Sequence, residues 1–478
     1  MLRKALITLV LGAALPAQVK LGPLTLTGSL RTRVEAWDWF QGDGDNTYAY
    51  PGTVLRLGIG RQKPNYDWQI ELAAPVLLGL PDNAIAPGAQ GQLGLGATYF
   101  AANDRSRNSA MVFAKQAFVR FKNLGGNEAH SLRLGRFEFV DGTEVVPKNP
   151  TLAALKRDRI GHRLLGNFVW SHAGRSLDGV HYVFNTAKTN LTFVGAQPTR
   201  GVFQTDGWGR LNTAVGYLAL TRPVAWNKRQ TGEWRLFALH YHDWRDILKT
   251  DNRDTALRRA DHGNLRIATF GGHYLHSLDT GAGTFDLLVW GALQTGRWGT
   301  LRHRAGAGSV EGGYQPLAFR RLKPWVRAGY LYGSGDDNPS DQAHRTFFQV
   351  LPTPRWYARF PFYNLMNNQD IYSALYLRPH KSFTVRTEFH SLRLTDRNDF
   401  WYQGGGAFQP WTFGYTGRPS GGNRGLATLW ESSADYQVNP RVGLGFYFAN
   451  AQGKLVPAGI YPEGRDARLG YVELNYRF

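Results

Sequence analysis

Cysteine is absent from the 478-residue chain, and other features that define common protein classes are also missing. Without cysteine there can be no disulfide framework, thiolate nucleophile or zinc–thiolate site. After the first seventeen residues, no apolar run reaches the length of about 18 residues that a transmembrane helix needs. A mean hydropathy of −0.37 also excludes a helical membrane protein, whereas 13% aromatic residues is too high for a disordered chain.

Residues 1–17 have the arrangement of a secretory signal peptide. Arg3 and Lys4 supply a positive start, an apolar run follows, and small residues close the segment near Ala17. We expect cleavage there and export of residues 18–478 as one domain, because no linker, repeat or composition shift divides the remainder.

Acidic residues are in deficit, with 36 Asp and Glu against 56 Lys and Arg, so the formal net charge is +20. In an exported protein this excess does not point to nucleic acid. It favours anionic lipids and lipopolysaccharide, anionic polysaccharides or small anions as partners.

Most of the chain alternates between apolar and polar residues, which is typical of β-strands with two unlike faces. In LTLTGSLRTRVEAW, Leu30 and Val34 fall on one face, and Arg31 and Arg33 fall on the other. The stretch ARLGYVELNYRF, which ends in Phe478, repeats the pattern. The segment TLAALKRDRIGHRLLG lacks it, which favours a short helix or an irregular excursion.

Two architectures accept such strands: a soluble sandwich, and an outer-membrane barrel whose polar face lines an aqueous lumen. The signal peptide, the aromatic strand ends and the last strand favour the barrel. We therefore predict an all-β fold, a transmembrane antiparallel β-barrel of about 18 strands (16 possible) made from a single chain. The strand that ends in Phe478 is expected to engage the barrel-assembly machinery.

Long stretches of the sequence resemble the alginate export family of outer-membrane porins. They are LRLGRFEFVDGTEVV, LKRDRIGHRLLGNFVWSHAGRSLDGV, AGYLYGSGDDNPSDQAHRTFFQVLPTPRWYARFPFYNLMNNQDIYSALYLRP and FTVRTEFHSLRLTDRNDFWYQGGGAF. The similarity covers most of residues 130–410. It implies a monomeric barrel of about 18 strands whose electropositive pore passes an anionic uronate polymer.

A pore for a polyuronate needs fixed cations, and the arginine fork suits a carboxylate because it can donate two parallel hydrogen bonds. Most of the candidates lie on the polar phase of predicted strands. In MVFAKQAFVRF and LRLGRFEF, Lys115 and Arg136 interrupt the apolar phase, and a bulge near Arg136 would restore it. The predicted pore-lining residues are Arg31, Arg33, Arg56, Arg133, Arg136, Lys156, Arg157, Arg159, Arg327, Arg386 and Glu388.

Each of these residues also has a purely structural interpretation. The strand arginines can belong to a charge lattice that stiffens the wall through partners such as Glu35, Glu71 and Glu388. The basic cluster from Lys156 to Arg159 can be a loop folded into the lumen or a surface patch that contacts lipopolysaccharide.

The sequence therefore predicts a passive porin for an anionic polysaccharide or its oligomers. A general, small-anion or sugar porin is the alternative, and an adhesin or surface hydrolase is a third class. No catalytic motif surrounds His240 and His242 in ALHYHDW, or the group formed by Ser176, Asp178 and His181, so no enzymatic activity is expected. No cofactor or metal is expected either, since the acidic loop GSGDDNPSDQ lacks the spacing of a calcium-binding loop.

Overall fold

A computed structural model describes residues 18–361, 364–406 and 408–478, so the predicted signal peptide lies outside the described residues. Eighteen long strands form one antiparallel sheet that closes on itself. In chain order, β1 to β18, they are Leu24–Asp38, Thr47–Gln62, Tyr66–Leu77, Phe113–Lys122, His130–Phe137, Leu177–Asn185, Asn190–Pro198, Thr213–Asn227, Gln230–Asp243, Leu265–Asp279, Gly283–Trp298, Leu301–Pro316, Trp325–Gly333, Asn368–His380, Phe383–Leu394, Gly425–Gln437, Val442–Gly453 and Asp466–Arg477.

Short elements occupy the ends of this barrel. The short strands are Gln18–Leu21, Ser109–Ala110, Ala343–His344, Trp401–Gln403 and Thr416–Arg418. The helical segments are Leu95–Ala102, Pro150–Leu155, Lys156–Ile160, Thr255–Arg259 and Leu455–Ile460, with single 3₁₀ turns at Leu124–Gly126 and Pro354–Trp356. Among the described residues, no helix has both the length and the apolar character needed to cross a bilayer.

The barrel closes at a seam between β1 and β18, where ten residues of each strand are in register from Ser29–Arg477 to Asp38–Arg468. Beyond the paired strands, the backbone groups of Gly28 and Phe478 exchange two hydrogen bonds of 3.0 Å. The Phe478 ring fills the space where a side chain on Gly28 would stand, so glycine is required there for close packing.

Exposure alternates along the strands as the sequence pattern predicts. Val34 of β1 and Val472 of β18 expose about half of their surface on the outer face, whereas Arg33 and Glu35 face the lumen and are buried. This arrangement confirms the predicted all-β barrel and its division into an apolar outer face and a polar interior.

The two ends of the barrel differ in their connections. Short turns join the strands at the end that carries Leu24 and Arg477, which we call the turn end. The opposite end, called the loop end, carries the long connections 78–112, 138–176, 199–212, 244–264, 334–367 and 395–424. Apolar residues of these loops, such as Tyr99, Phe168 and Phe348, belong to the main buried cluster, which also includes strand residues such as Trp37 of β1.

The one break in the predicted alternation of β4 is a bulge at Lys115. Opposite it, the register on β3 moves from Glu71–Gln116 to Leu72–Ala114, so Lys115 has no partner there. The bulge turns the Lys115 side chain inward, where its ammonium donates to the carbonyls of Ala173 and Arg175 at 3.0 and 3.1 Å.

No register shift occurs at Arg136, which corrects the predicted position of the bulge. The pairing of β5 with β4 and β6 is continuous through both Arg133 and Arg136, so these two residues lie on opposite faces. Arg133 faces inward, over the rings of Phe118 and Phe137. Arg136 therefore lies on the outer face, paired with Asp178, and this corrects its assignment to the pore lining.

Candidate pore constriction

Loop 138–176 contains the predicted helix and crosses the barrel interior. Its helix begins at Pro150, where the side chain of Asn149 accepts hydrogen bonds from the amides of Thr151 and Leu152 at 2.9 and 3.2 Å. This cap, with proline as the first helical residue, is a standard helix start. The helix continues through Lys156–Ile160, and the rest of TLAALKRDRIGHRLLG is irregular, so the stretch combines the short helix and the irregular excursion that the sequence favours.

Three parts of the wall hold this loop. Lys156 pairs with Glu233 of β9 at 2.6 Å, and Arg159 pairs with Glu311 of β12 at 2.7 Å. Arg31 of β1 donates to the carbonyls of Val169 and Ser171 in the same loop. Since β1 and β12 are far apart around an eighteen-stranded barrel, loop 138–176 spans the lumen from one side to the other.

A second loop joins the first inside the barrel. The amide of Gly166 donates to the carbonyl of Leu351 at 2.8 Å, and the amide of Thr353 donates to the carbonyl of His162 at 2.9 Å. The Thr353 hydroxyl accepts from the amide of Phe168 at 3.0 Å. Residues 160–176 and 347–358 together form what we call the central plug, and most of their side chains are buried.

Gly174 is essential to the local path of the plug. Its backbone has a φ of 63°, in the left-handed region, and a side chain there would meet the carbonyl of Asn167 at 2.8 Å. This turn directs the carbonyls of Ala173 and Arg175 toward the ammonium of Lys115.

Most of the predicted pore-lining cations are paired with carboxylates. Besides the pairs of Lys156 and Arg159, Arg157 binds its neighbour Asp158 at 2.7 Å. The pairs on the wall are Arg33 with Glu35 and Glu473, Arg56 with Glu71 and Glu138, Arg327 with Asp286, and Arg386 with Glu388. Arg133 has no carboxylate at hydrogen-bonding distance among the described residues, and it donates to a ring nitrogen of His181.

The basic cluster is thus folded into the lumen, as one of the two sequence interpretations expects, but its cations are largely neutralised there. Arg163 extends the same pattern, because its guanidinium donates to Glu311 at 2.9 Å and to the hydroxyl of Ser309 at 2.7 Å. Burial in the lumen lowers the pKa of Lys156, while the nearby carboxylate of Glu233 opposes that shift.

Two plug arginines that the sequence did not single out are held differently. Arg175 donates to the carbonyls of Gly406 and Pro352 at 2.9 and 3.0 Å, and Arg355 donates to the carbonyl of Phe360 at 3.2 Å. Within the described ranges, neither has a carboxylate at ion-pair distance. Burial lowers the pKa of each to about 10, so both stay charged at neutral pH. Both lie in irregular loop sequence, where no periodicity predicts which side chains point inward.

Cavities lie on both sides of the plug. On the turn-end side, a cavity of about 350 Å³ adjoins another of about 150 Å³, and the two share Ser29 and Arg56. Seven basic residues and two acidic ones, Asp67 and Glu71, line this pair of cavities. On the loop-end side, a cavity of about 330 Å³ is lined mainly by aromatic, amide and hydroxyl side chains together with Arg355.

The residues considered for catalysis do not form a catalytic group. The Ser176 hydroxyl donates to the carbonyl of Lys115 at 2.7 Å, and Asp178 is paired with Arg136. His181 accepts from Arg133 on the inner face of the wall. The three side chains thus have separate structural partners, and nothing in their contacts activates a nucleophile.

The sequence profile of the alginate export family matches residues 90–446. The chain belongs to the alginate export family. Membership confirms the resemblance found in the sequence and, with the barrel fold, supports an outer-membrane porin and a transport channel rather than an enzyme.

The fold is similar to solved Occ structures. OccAB1 of Acinetobacter baumannii has a TM-score of 0.57 at 9% sequence identity, with 95% of this chain and 96% of that one covered. OccK11 (OpdR) of Pseudomonas aeruginosa has a TM-score of 0.51 at 12% identity, with 97% and 98% covered. At these identities the likeness shows the fold alone. No curated protein matches the chain by sequence.

Proposed function

We propose that this chain is a passive outer-membrane porin for carboxylate-bearing saccharides, namely uronate oligomers. In barrels of this kind the short turns face the periplasm and the long loops face the exterior. The turn-end cavities then open to the periplasm and the aromatic cavity opens to the outside.

The excess of cations around the turn-end cavities carries the proposal. Arg31, Lys115 and Arg133 line them with weak or no carboxylate partners. Lys115 lies 3.5 Å from Glu138 and Arg31 lies 3.8 Å from Glu473, while Arg133 has no carboxylate at ion-pair distance in the part of the chain that the structure describes. Rings of basic side chains are how pores select anions, and many weak sites allow the solute to leave again.

The central plug favours short oligomers over a long polymer. The cavities on its two sides are of the size that binds small molecules, about 300–1,000 Å³. The same observation supports the second candidate, a porin for small organic anions or sugars.

The test is the zero-current potential of the protein in a planar bilayer under a potassium chloride gradient. Oligomannuronate is then added at increasing concentration. We expect an anion-selective potential that collapses as uronate occupies the pore. Anion selectivity unaffected by uronate would leave the small-anion porin, and an absence of conductance would contradict both porin proposals.

A further inference from the structure

The cavity at the loop end has the composition of a ligand site rather than of a simple opening. It is enclosed by residues from separate loops, among them Thr98, Phe203, Arg355, Trp411 and Phe413. Phe413 is buried and packs against Phe348 of the central plug, whereas the Trp411 side chain is about half exposed. Flat apolar walls with a few polar groups are typical of small-molecule sites.

Two buried donors at this cavity have nothing to bind among the described residues. The Nε atom of Arg355 has no hydrogen-bond partner, although only 2% of the residue is exposed. The Nε2 atom of Gln403 is also unpartnered in a residue that is 9% exposed. The side chain of Gln403 is oriented by Arg418, which donates to its Oε1 atom at 2.8 Å. The NH₂ group of Gln403 therefore points away from Arg418.

A buried donor without an acceptor costs free energy, and two of them beside one cavity call for an acceptor from outside the chain. A carboxylate satisfies both, because each of its oxygens accepts several hydrogen bonds and its charge balances the guanidinium. The neighbouring hydroxyl and amide side chains of Thr98, Gln92 and Thr412 suit a ligand that also carries hydroxyl groups. The aromatic walls suit the less polar face of a ring.

We propose that this cavity binds one uronate unit, with its carboxylate on Arg355 and Gln403 and its ring against Trp411 and Phe413. The site rests on the proposed function, and it assigns recognition of the solute to the loop end, separately from the cationic cavities at the turn end. Neutral sugars lack the acceptor that the two donors need, so the site discriminates against them.

The test is isothermal titration calorimetry of the full chain in detergent with trimannuronate, and with mannotriose as its neutral counterpart. We expect saturable binding of trimannuronate and at least about tenfold weaker binding of mannotriose, because a hydrogen bond to a charged group contributes on that scale. Arg355→Gln should weaken trimannuronate binding by at least about tenfold. Gln403→Leu should weaken it less.

Arg424→Gln is the matched control, since Arg424 is an exposed cation at the same end of the barrel and does not line the cavity. Equal losses in Arg355→Gln and Arg424→Gln would mean general charge attraction and would overturn the proposal, as would equal binding of both sugars or no binding to the wild type. Circular dichroism checks that each variant is folded. If Arg355→Gln does not fold, Gln403→Leu and Trp411→Ala carry the test.

Conductance of the same preparations separates this site from the porin proposal. Anion-selective conductance without saturable binding overturns the uronate site and leaves the porin in place. An absence of conductance overturns the porin, whether or not trimannuronate binds.

Discussion

Two parts of loop 138–176 hold their cations in opposite ways. In residues 150–163, the anchoring part, Lys156, Arg159 and Arg163 each meet a carboxylate of the wall. In residues 164–176, the unpaired part, Arg175 donates to two carbonyl groups and lies over the Phe168 ring, without a carboxylate at ion-pair distance among the described residues. The first arrangement fixes the loop to the barrel, and the second leaves a full positive charge inside the lumen. Whether an arginine anchors the fold or acts on a solute thus depends on its counter-charge, which the sequence pattern does not reveal.

Glu311 tests the anchoring part of the loop and should give the largest effect. It pairs with Arg159 and Arg163, and Arg327 lies 3.5 Å away, so Glu311→Gln leaves three buried guanidinium groups short of one charge. We expect a loss of about 3–5 kcal/mol in the free energy of unfolding, because breaking a buried ion pair leaves uncompensated charge. Denaturant unfolding in liposomes, followed by tryptophan fluorescence, measures this loss.

The same variant should also raise single-channel conductance, since loop 138–176 loses its main contact with β12. Glu128→Gln is the control, because Glu128 is exposed at the turn end. A Glu311→Gln protein with wild-type stability and conductance would show that the loop is held by its other contacts.

Arg175 tests the unpaired part of the loop. Arg175→Gln removes a charge that has no counter-charge within ion-pair distance among the described residues, so the preference for anions should fall by several-fold. Arg175→Lys keeps the charge and should retain most of the selectivity. The matched comparison is the double variant Arg386→Gln with Glu388→Gln, which removes a neutral pair and should leave the reversal potential nearly unchanged. Equal shifts of the reversal potential in Arg175→Gln and in the double variant would contradict the difference between unpaired and paired arginines.

Asp399 extends the comparison to a buried acid that has no cation at ion-pair distance among the described residues. It accepts hydrogen bonds from the Tyr402 hydroxyl at 2.7 Å and the Asp336 amide at 3.0 Å, and burial raises its pKa to about 7. Burial also raises the pKa of Asp336 to about 6. A carboxyl with a raised pKa favours the folded state below its ordinary pKa of about 3.9, and this contribution is lost as the pH rises through about 7.

Hydrogen exchange of loop 395–424, corrected for the intrinsic rate, should therefore show more protection at pH 5 than at pH 8. Asp399→Asn should reduce that difference, whatever its effect on overall stability. Equal protection of the wild type at both pH values would contradict a raised pKa of Asp399.

An exposed ion pair should give the smallest effect. Arg107 and Asp82 meet at 3.4 Å, with more than half of each side chain exposed. Such pairs contribute about 0–1 kcal/mol, so Arg107→Gln should leave the unfolding midpoint and the conductance almost unchanged. A large fall in the unfolding midpoint or the conductance would mean that ion pairs at the loop end contribute to stability even when they are exposed to solvent.

Alternation in the sequence was enough to predict the strands, their outer and inner faces and the lumen phase of β1, whereas the signal peptide, the aromatic strand ends and the last strand were needed to favour a barrel over a sandwich. It failed where the period is interrupted. The bulge lies at Lys115 instead of near Arg136. The sequence could not place it, because a charged residue that interrupts the apolar positions of a strand gives the same pattern whether or not a bulge is present. Arg175 and Arg355 were missed because the plug is built from loop backbone, and burial there follows from contacts between loops distant in sequence.

The seam between β1 and β18 has a consequence for how the barrel is made. Arg33 and Glu473, which are hydrogen-bonded across it, are 440 residues apart in the chain. Until these strands meet, the sheet keeps two open edges whose unpaired backbone groups can pair with other copies. The delay costs little at equilibrium, since the entropy of closing a loop grows only slowly with its length. It matters as a risk of aggregation during folding, because both edges stay open until the barrel is sealed.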